Sequence, residues 1–450
     1  MHDVVVIGGG SAGESAATAA NEAGASVAVV ERELLGGECP FWACMPSKTL
    51  LDAAHRRALG SDYPWKRASD RRDWMISREG TDRQDDSGHA RNFADLGIEL
   101  VRGPARVVGP GRIEVVVPDG PPRTLEGRSL IVATGSRNVV PPLEGLSDSG
   151  YWTSREATTT RELPSSLVVL GGGPIGVELA QVFARFGSKV TLVEASDRIL
   201  SRDHPLTSKA VGAQLAEDGV QLRLGVRAQK VESGGAGRKV SLSDGVVVEG
   251  AELLVAVGRR GDDLGALGLE ETGARLTDGG SADPDERMAI GNAVFVAGDC
   301  AGGPQFTHLA YYEGRIAGRN AAGRPCTADL SSVPRATFTD PDAGAVGKTV
   351  EEAQQEGIDV FEVTVDFTTT ARGQATEGSR GHVSVVVDRE RKVPVGVFAA
   401  APGASEFTGE AVIALKLEIP IPVLADAIHA FPTGSRALGT AFELANERLG

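Results

Sequence analysis

The sequence predicts an α/β protein made of two Rossmann-like dinucleotide-binding domains and a C-terminal α+β domain, and three observations carry that prediction. A glycine fingerprint of the dinucleotide-binding kind occurs twice, each time after a buried-strand pattern and before a helical one. The chain has 450 residues, enough for about three domains with cores of their own, and its 58 glycines suit tight turns and close backbone approaches. From about Val333 onward the pattern changes to short alternating strands and amphipathic helices without a fingerprint.

The first element is VVVIGGGSAG, residues 4–13, an apolar strand running into Gly8, Gly10 and Gly13. A small-residue helix follows as far as Gly24, then a second strand, SVAVVE, ending at Glu31. Gly8 and Gly10 let the backbone turn and approach a pyrophosphate at the helix N-terminus, Gly13 lets helix pack on strand, and Glu31 can accept from ribose hydroxyls. The plan returns at LVVLGGGPIG, residues 167–176, with Gly171, Gly173 and Gly176, and with a strand ending at Glu194. Neither copy has lost a glycine or its acid, so two dinucleotides are expected. The economical pairing is a flavin dinucleotide with the nicotinamide dinucleotide that reduces it.

SLIVATGS (129–136) and AVFVAGDC (293–300) are strands that end in Gly turns where a cofactor could lie. The expected division is a flavin-binding domain over 1–150, a nicotinamide-binding domain over 151–275, a segment completing the flavin domain over 276–332, and the α+β domain over 333–450. HVSVVVD (382–388) and VPVGVFAA (393–400) are the alternating strands of that last part. The Arg- and Asp-rich stretch from Asp62 to His89 is expected to be a solvated helix and loop without chemistry.

A net charge of −15 offers no basic footprint for nucleic acid and would be repelled by an anionic membrane surface, so a small-molecule partner is favoured. The N-terminus leads straight into a strand, without the layout of a signal peptide. The apolar stretch from Ala411 to Ile428 is broken by Lys416, Glu418, Pro420, Pro422 and Asp426, so it cannot span a bilayer. The expected location is the cytoplasm.

Of the four cysteines, Cys39 and Cys44 stand together in GGECPFWACMPSKTLL, residues 36–51. In a regular helix their Cα atoms would be about 8–9 Å apart, whereas a disulfide needs less than about 7 Å. A bonded pair therefore demands a distorted segment, which Pro40 in a first helical turn permits. A thiolate at a helix start has its pKa lowered by the backbone amides. Redox chemistry is favoured over zinc, because no second Cys pair or nearby His completes a tetrahedral site. The zinc and inert-thiol readings stay open at this point. Cys300 and Cys326 are isolated and expected to be structural.

These motifs, together with ATG at 133–135, VGRR at 257–260, GDC at 298–300 followed by HLAYYEG, TFTDPDAGAVGKTVEEA at 337–353 and HAFPT at 429–433, make the whole chain resemble the flavoprotein disulfide reductases. That group includes dihydrolipoamide dehydrogenase, glutathione reductase and mercuric reductase. The resemblance implies a homodimer and hydride transfer from nicotinamide to FAD, then to a disulfide, then to substrate. It implies Cys44 as the thiolate nearest the flavin, Cys39 as the exchanging sulfur, and Lys48 pairing with Glu178 near the reactive flavin nitrogen. It places cofactor contacts at Ala105, Thr134, Gly135, Asp299, Thr307 and Gly258, in addition to Lys48, the fingerprint glycines and their acids. Glu194 implies NADH rather than NADPH, although Arg198 could accommodate a 2′-phosphate.

Three departures shape the expected function. Phe41 and Trp42 stand where the family has small residues and an Asn, implying a bulkier substrate face. Pro174 takes the place of an aromatic gate. The ending H-x-H-P-T-x-x-E reads HAFPTGSR, so Phe431 occupies the acid–base histidine position and Arg436 that of its glutamate, while His429 remains as the replacement candidate or a structural histidine. The expected activity is an NADH-dependent FAD disulfide or dithiol oxidoreductase acting on a small molecule other than lipoamide. The alternatives are a quinone, other-acceptor or mercuric-type reductase with auxiliary cysteines, and a flavin-bound redox sensor.

Overall fold

The computed structural model describes residues 1–78, 83–118, 120–234, 237–277 and 280–450. The chain forms two compact units, the first made of 1–49, 69–139 and 258–329 and the second of 50–68, 140–257 and 330–450. The crossings at Val139/Val140 and Val257/Gly258 precede the expected boundaries at 150 and 275, because Ser136–Asn138 pairs antiparallel with Arg259–Gly261 inside the first unit.

In the first unit β1 (His2–Ile7) lies between β2 (Val27–Glu31) and the strand Arg123–Val132, parallel to both. Val4, Val5 and Val6 are wholly buried, as a strand covered on both faces requires. Helix α1 (Ser11–Glu22) packs its alanines against the helix Thr307–Ala321 at very short range. A Cβ on Gly314 would stand 2.2 Å from the Ala12 carbonyl oxygen, and one on Gly318 2.2 Å from that of Ala16. Only glycine permits this approach.

The second unit holds a parallel sheet in the order 221–224, 189–194, 166–170, 252–255 and an antiparallel five-stranded sheet in the order 334–337, 343–347, 393–400, 382–388, 360–366. The alternation expected of His382–Asp388 is absent, since all seven residues are buried. The sheet is covered on both faces: Val383, Val385 and Val387 join one apolar cluster, and Val386 joins another with Phe398. His382 and Ser384 are tolerated because their polar atoms are paired, His382 Nδ1 with Ser384 Oγ at 2.9 Å and Nε2 with Thr207 Oγ1 at 2.9 Å.

The Asp62–His89 stretch also departs from expectation, as far as it is described; residues 79–82 lie outside the described ones. It contains α4 (Trp65–Ser77) and α5 (Ser87–Asp95). One face of α4 is buried at Ala68, Ser69, Arg72, Asp73 and Ile76, spaced as helical neighbours. Arg72 and Asp73 are 0% exposed and joined Nε to Oδ1 at 2.6 Å. Asp73→Ala takes a charge-assisted hydrogen bond from the buried guanidinium and should lower stability by about 1.5–3 kcal/mol. The shift of the urea unfolding midpoint at pH 7 measures this.

Candidate active site

Each fingerprint loop is built in the same way from its glycines. A Cβ on Gly8 would lie 2.3 Å from the Ala133 carbonyl oxygen and one on Gly13 1.9 Å from that of Gly8. In the second copy the corresponding distances are 2.3 Å from Gly171 to Ala256 and 1.9 Å from Gly176 to Gly171. The middle glycines differ: a Cβ on Gly10 would meet only Gly37 Cα at 3.9 Å, and one on Gly173 would meet nothing within 4 Å. Gly10 and Gly173 cap their helices without any side-chain acceptor. Their first-turn amides are thus left to an incoming anion.

The strand-ending acids have a role the sequence did not disclose. Glu31 takes the Gly9 amide at 2.7 Å and the Glu33 amide at 2.6 Å; Glu194 takes those of Gly172 at 2.6 Å and Ser196 at 2.7 Å. Each carboxylate fixes its loop, and each oxygen keeps a second lone-pair direction for a ribose hydroxyl. Arg198 is spoken for by its own loop: Nη1 donates to the carbonyls of Leu200 and Asp203 and to Ser208 Oγ, and Nη2 to the Ser201 carbonyl.

The cysteine segment is anchored on the first fingerprint. Gly36 donates to the Gly9 carbonyl at 2.7 Å, and a Cβ on Gly37 would lie 2.8 Å from Gly10 Cα. The short helix α2 (Glu38–Phe41) ends at Trp42, and α3 (Cys44–Ala58) begins at the second cysteine. The helix is broken between the two sulfurs, which removes the spacing of a regular helix. Both are thiols here, as are Cys300 and Cys326. Cys44 Sγ lies 3.2 Å from Oγ1 of Thr307, the first residue of its helix. The Cys39 thiol is pushed up, first by its hydrogen bond with Cys44, then by burial and by negative charge on Cys44; Thr307 and Lys48 pull it down. Lys48 lies one turn beyond Cys44 on α3.

Phe41 and Trp42, expected to make the substrate face bulkier, are largely buried. They are 2% and 9% exposed and pack with Ile76 and Leu34. At the ends of the neighbouring strands, Asp299 accepts from Ser136 Oγ at 2.5 Å, and Gly135 takes a φ of 79° with open space where a Cβ would project. Thr134 Oγ1 is buried without a hydrogen-bond partner among the described residues. Gly298 donates to the buried Glu313, whose carboxyl is pushed up to about 7, chiefly by burial. Ala105 begins the strand 105–109 and pairs with Val115, and Gly258 accepts from the Val139 amide at 2.9 Å.

In the second unit Glu178 accepts from the Phe338 amide at 2.9 Å. Pro174 opens the second fingerprint helix and is exposed. Phe431 is 73% exposed, and Arg436 pairs with Glu443 through both terminal nitrogens at 3.1 Å. His429 faces acceptors on both sides, the Ala427 carbonyl at 3.0 Å from Nδ1 and Glu410 at 2.9 Å from Nε2.

Two family descriptions match the chain: pyridine nucleotide-disulphide oxidoreductase over residues 2–314, and the dimerisation domain of the same group over 333–442. The chain belongs to the pyridine nucleotide-disulphide oxidoreductases. It is 34% identical to a dihydrolipoyl dehydrogenase of Halobacterium salinarum, with 98% of this chain and 95% of that one covered. It is 31% identical to a mercuric reductase of Staphylococcus aureus, covering 98% and 82%. Among solved structures, a Cu(II) complex of the HOCl-induced flavoprotein disulfide reductase RclA from Escherichia coli superposes with a TM-score of 0.88 at 28% identity, covering 98% and 99%. LpdA from Mycobacterium tuberculosis matches with the same TM-score at 26% identity and the same coverage.

As a pyridine nucleotide-disulphide oxidoreductase the protein is an FAD-dependent enzyme that works with a pyridine nucleotide, in a family that is homodimeric and carries a redox disulfide. The uncapped helix ends, the open middle glycines and the orphaned Thr134 hydroxyl suit dinucleotide groups. No described helix is long and apolar enough to cross a membrane. Glu14 and His89 stand in no motif, yet they meet at 2.7 Å, a contact between residues 75 apart that no local pattern announces.

Proposed function

We propose that this oxidoreductase takes hydride from NADH and passes the electron pair through Cys39 and Cys44 to a small-molecule disulfide or dithiol partner other than lipoamide. The observation that carries the reading is the break between α2 and α3, which brings the two sulfurs into hydrogen-bonding contact with Thr307 alongside Cys44. Bound FAD supplies the relay between nicotinamide and the sulfurs. Thr307 hydrogen-bonds the Cys44 sulfur, and Lys48 adds positive charge that favours ionised sulfur.

Glu194 selects the reductant. Its carboxylate can accept from ribose hydroxyls and repels a 2′-phosphate, and Arg198 is turned to the carbonyls of its own loop through Nη1 and Nη2. The case against lipoamide rests on the C-terminal segment. Phe431 cannot carry a proton, Arg436 is bound to Glu443, and His429 has an acceptor at each nitrogen, so we leave it out of the acid–base role. Ile413, Leu417, Val423, Ile428 and Phe431 are exposed apolar side chains of the segment matched as a dimerisation domain, and a second copy of the chain covers them.

Anaerobic addition of NADH to the oxidised holoenzyme tests the reading. Cys39 and Cys44 should both become titratable with a thiol reagent, and NADPH at the same concentration should achieve this more slowly by about tenfold or more. Reduction of the flavin without release of these thiols would overturn the route. Equal rates for the two nucleotides would remove Glu194 as selector.

A further inference from the structure

We propose that Arg259 is a positioning residue of the flavin site, acting through Ser136 to fix which oxygen of Asp299 meets the cofactor. This rests on reading Asp299 as a carboxylate that binds the flavin dinucleotide. Of the two arginines in VGRR, Arg260 is exposed, whereas Arg259 turns inward with its side chain 15% exposed.

The backbone brings three segments of the first unit together. Arg259–Gly261 pairs antiparallel with Ser136–Asn138, so Arg259 stands opposite Asn138 and Gly261 opposite Ser136. The Asp262 amide donates to the Gly135 carbonyl at 3.1 Å, which extends the pairing into ATG. A Cβ on Gly261 would lie 2.8 Å from the Asp299 carbonyl oxygen and 3.3 Å from Cys300 Cα. The two-stranded ribbon thus presses directly on the turn that carries Asp299, an approach that glycine permits.

The hydrogen bonds across this contact run one way. A guanidinium only donates. Nε of Arg259 donates to Ser136 Oγ at 2.9 Å and Nη2 to the Ser136 carbonyl at 2.7 Å, so side chain and backbone of one residue are held together. Nη1 donates to Asn138 Oδ1 at 3.1 Å, which fixes the plane of the fork. Ser136 has a single hydroxyl proton and gives it to Asp299 Oδ2 at 2.5 Å. Oδ2 is thereby committed, and Oδ1 is the oxygen left to accept from a cofactor hydroxyl. A hydroxyl that accepts from a cation donates more strongly, so each bond in the chain reinforces the next. Without Arg259 the Ser136 hydroxyl can turn, and the carboxylate loses the partner that sets its rotation.

The charge of Arg259 has a second neighbour. Nη2 lies 3.9 Å from Oε1 of Glu38, the residue before Cys39. Glu38 follows Gly37, which packs on Gly10 at the start of α1. A carboxylate next to this loop would repel an incoming phosphate, and the guanidinium offsets it. Both side chains of the pair are partly exposed, so this contribution is smaller than that of the chain through Ser136.

FAD release from the diluted holoenzyme, followed by the rise in flavin fluorescence, tests this in a double-mutant cycle of Arg259→Met and Ser136→Ala. Each single substitution should speed release by about tenfold, the size expected for one charge-assisted hydrogen bond. The double variant should release FAD at about the rate of either single one rather than about a hundredfold faster than the unaltered protein, because both substitutions break the same chain. Release from Arg259→Met at the unaltered rate, or a double variant whose effect is the product of the two, overturns the proposal. If Arg259→Met does not fold, Arg259→Gln takes its place with the same two overturning outcomes. Asp299→Ala tests the underlying reading separately and should speed release at least as much as Arg259→Met. An Asp299→Ala protein that holds FAD as tightly as the unaltered one would overturn the assignment of Asp299, whatever the cycle gives.

Discussion

Cys44→Ser should retain FAD yet lose the long-wavelength absorbance that appears when the native holoenzyme is reduced by one equivalent of reductant. Turnover with any disulfide should fall with it, by about three orders of magnitude or more. Both losses have one cause. The band requires an ionised sulfur as electron donor to oxidised flavin, and Cys44 is the sulfur whose charge and hydrogen bond hold Cys39 in the thiol form. A serine hydroxyl is not ionised at neutral pH, so neither the donor nor the nucleophile that closes the protein disulfide remains. Thr307 hydrogen-bonds the same sulfur at 3.2 Å, so its removal should weaken the band rather than abolish it. Spectra of the half-reduced protein give the answer directly, and an undiminished band in Cys44→Ser would transfer the role to another group.

The second large effect is on acid stability. His382 is 2% exposed, and its pKa is pushed down to about 3, first by burial and then by His204, whose ring centroid is 4.8 Å away. In the unfolded chain the same imidazole titrates near 6.5. Between those values the unfolded state binds a proton that the folded state refuses, so stability falls as pH falls from about 6.5 toward 3. Each unit is worth about 1.4 kcal/mol, which makes the loss about 2–3 kcal/mol at pH 4.5. His382→Gln cannot bind that proton in either state. Urea midpoints measured from pH 7 to 4.5 should therefore fall less steeply in the variant. Parallel slopes would show that His382 is charged in the folded protein.

What the sequence disclosed and what it withheld follow from range. Both dinucleotide loops were legible because their strand, glycines and helix lie within a few residues of one another, and Glu31 and Glu194 end the next strand. The need for a break between Cys39 and Cys44 was legible from helix geometry alone. Contacts that join distant segments were not. Cys44 meets Thr307 across 263 positions, and nothing near either residue signals it. Arg72 and Asp73 suggested a wetted helix because charged residues are buried only when paired, and their pairing becomes visible only once the inner face of α4 is known. The cover that Ile76 gives Phe41 and Trp42 was hidden because it comes from a stretch that reads as polar. His382 and Ser384 gave their strand a false alternation, corrected by Thr207 and Thr364 reaching those polar atoms from elsewhere in the chain.

The glycine contact between α1 and the helix beginning at Thr307 has a consequence for how this protein can vary. Gly10 and Thr307 stand at the leading ends of two rods whose backbones touch through Gly314 and Gly318. Sliding or tilting one rod carries the other along, because no side chain lies between them to yield. The pocket for a cofactor phosphate and the hydroxyl that bonds Cys44 are thus ends of a single stiff piece. A methyl group introduced at Gly314 should weaken cofactor retention and disturb thiol ionisation together. Gradual change at this seam is closed to the lineage, and tuning of the sulfur chemistry must come from side chains around the cysteines.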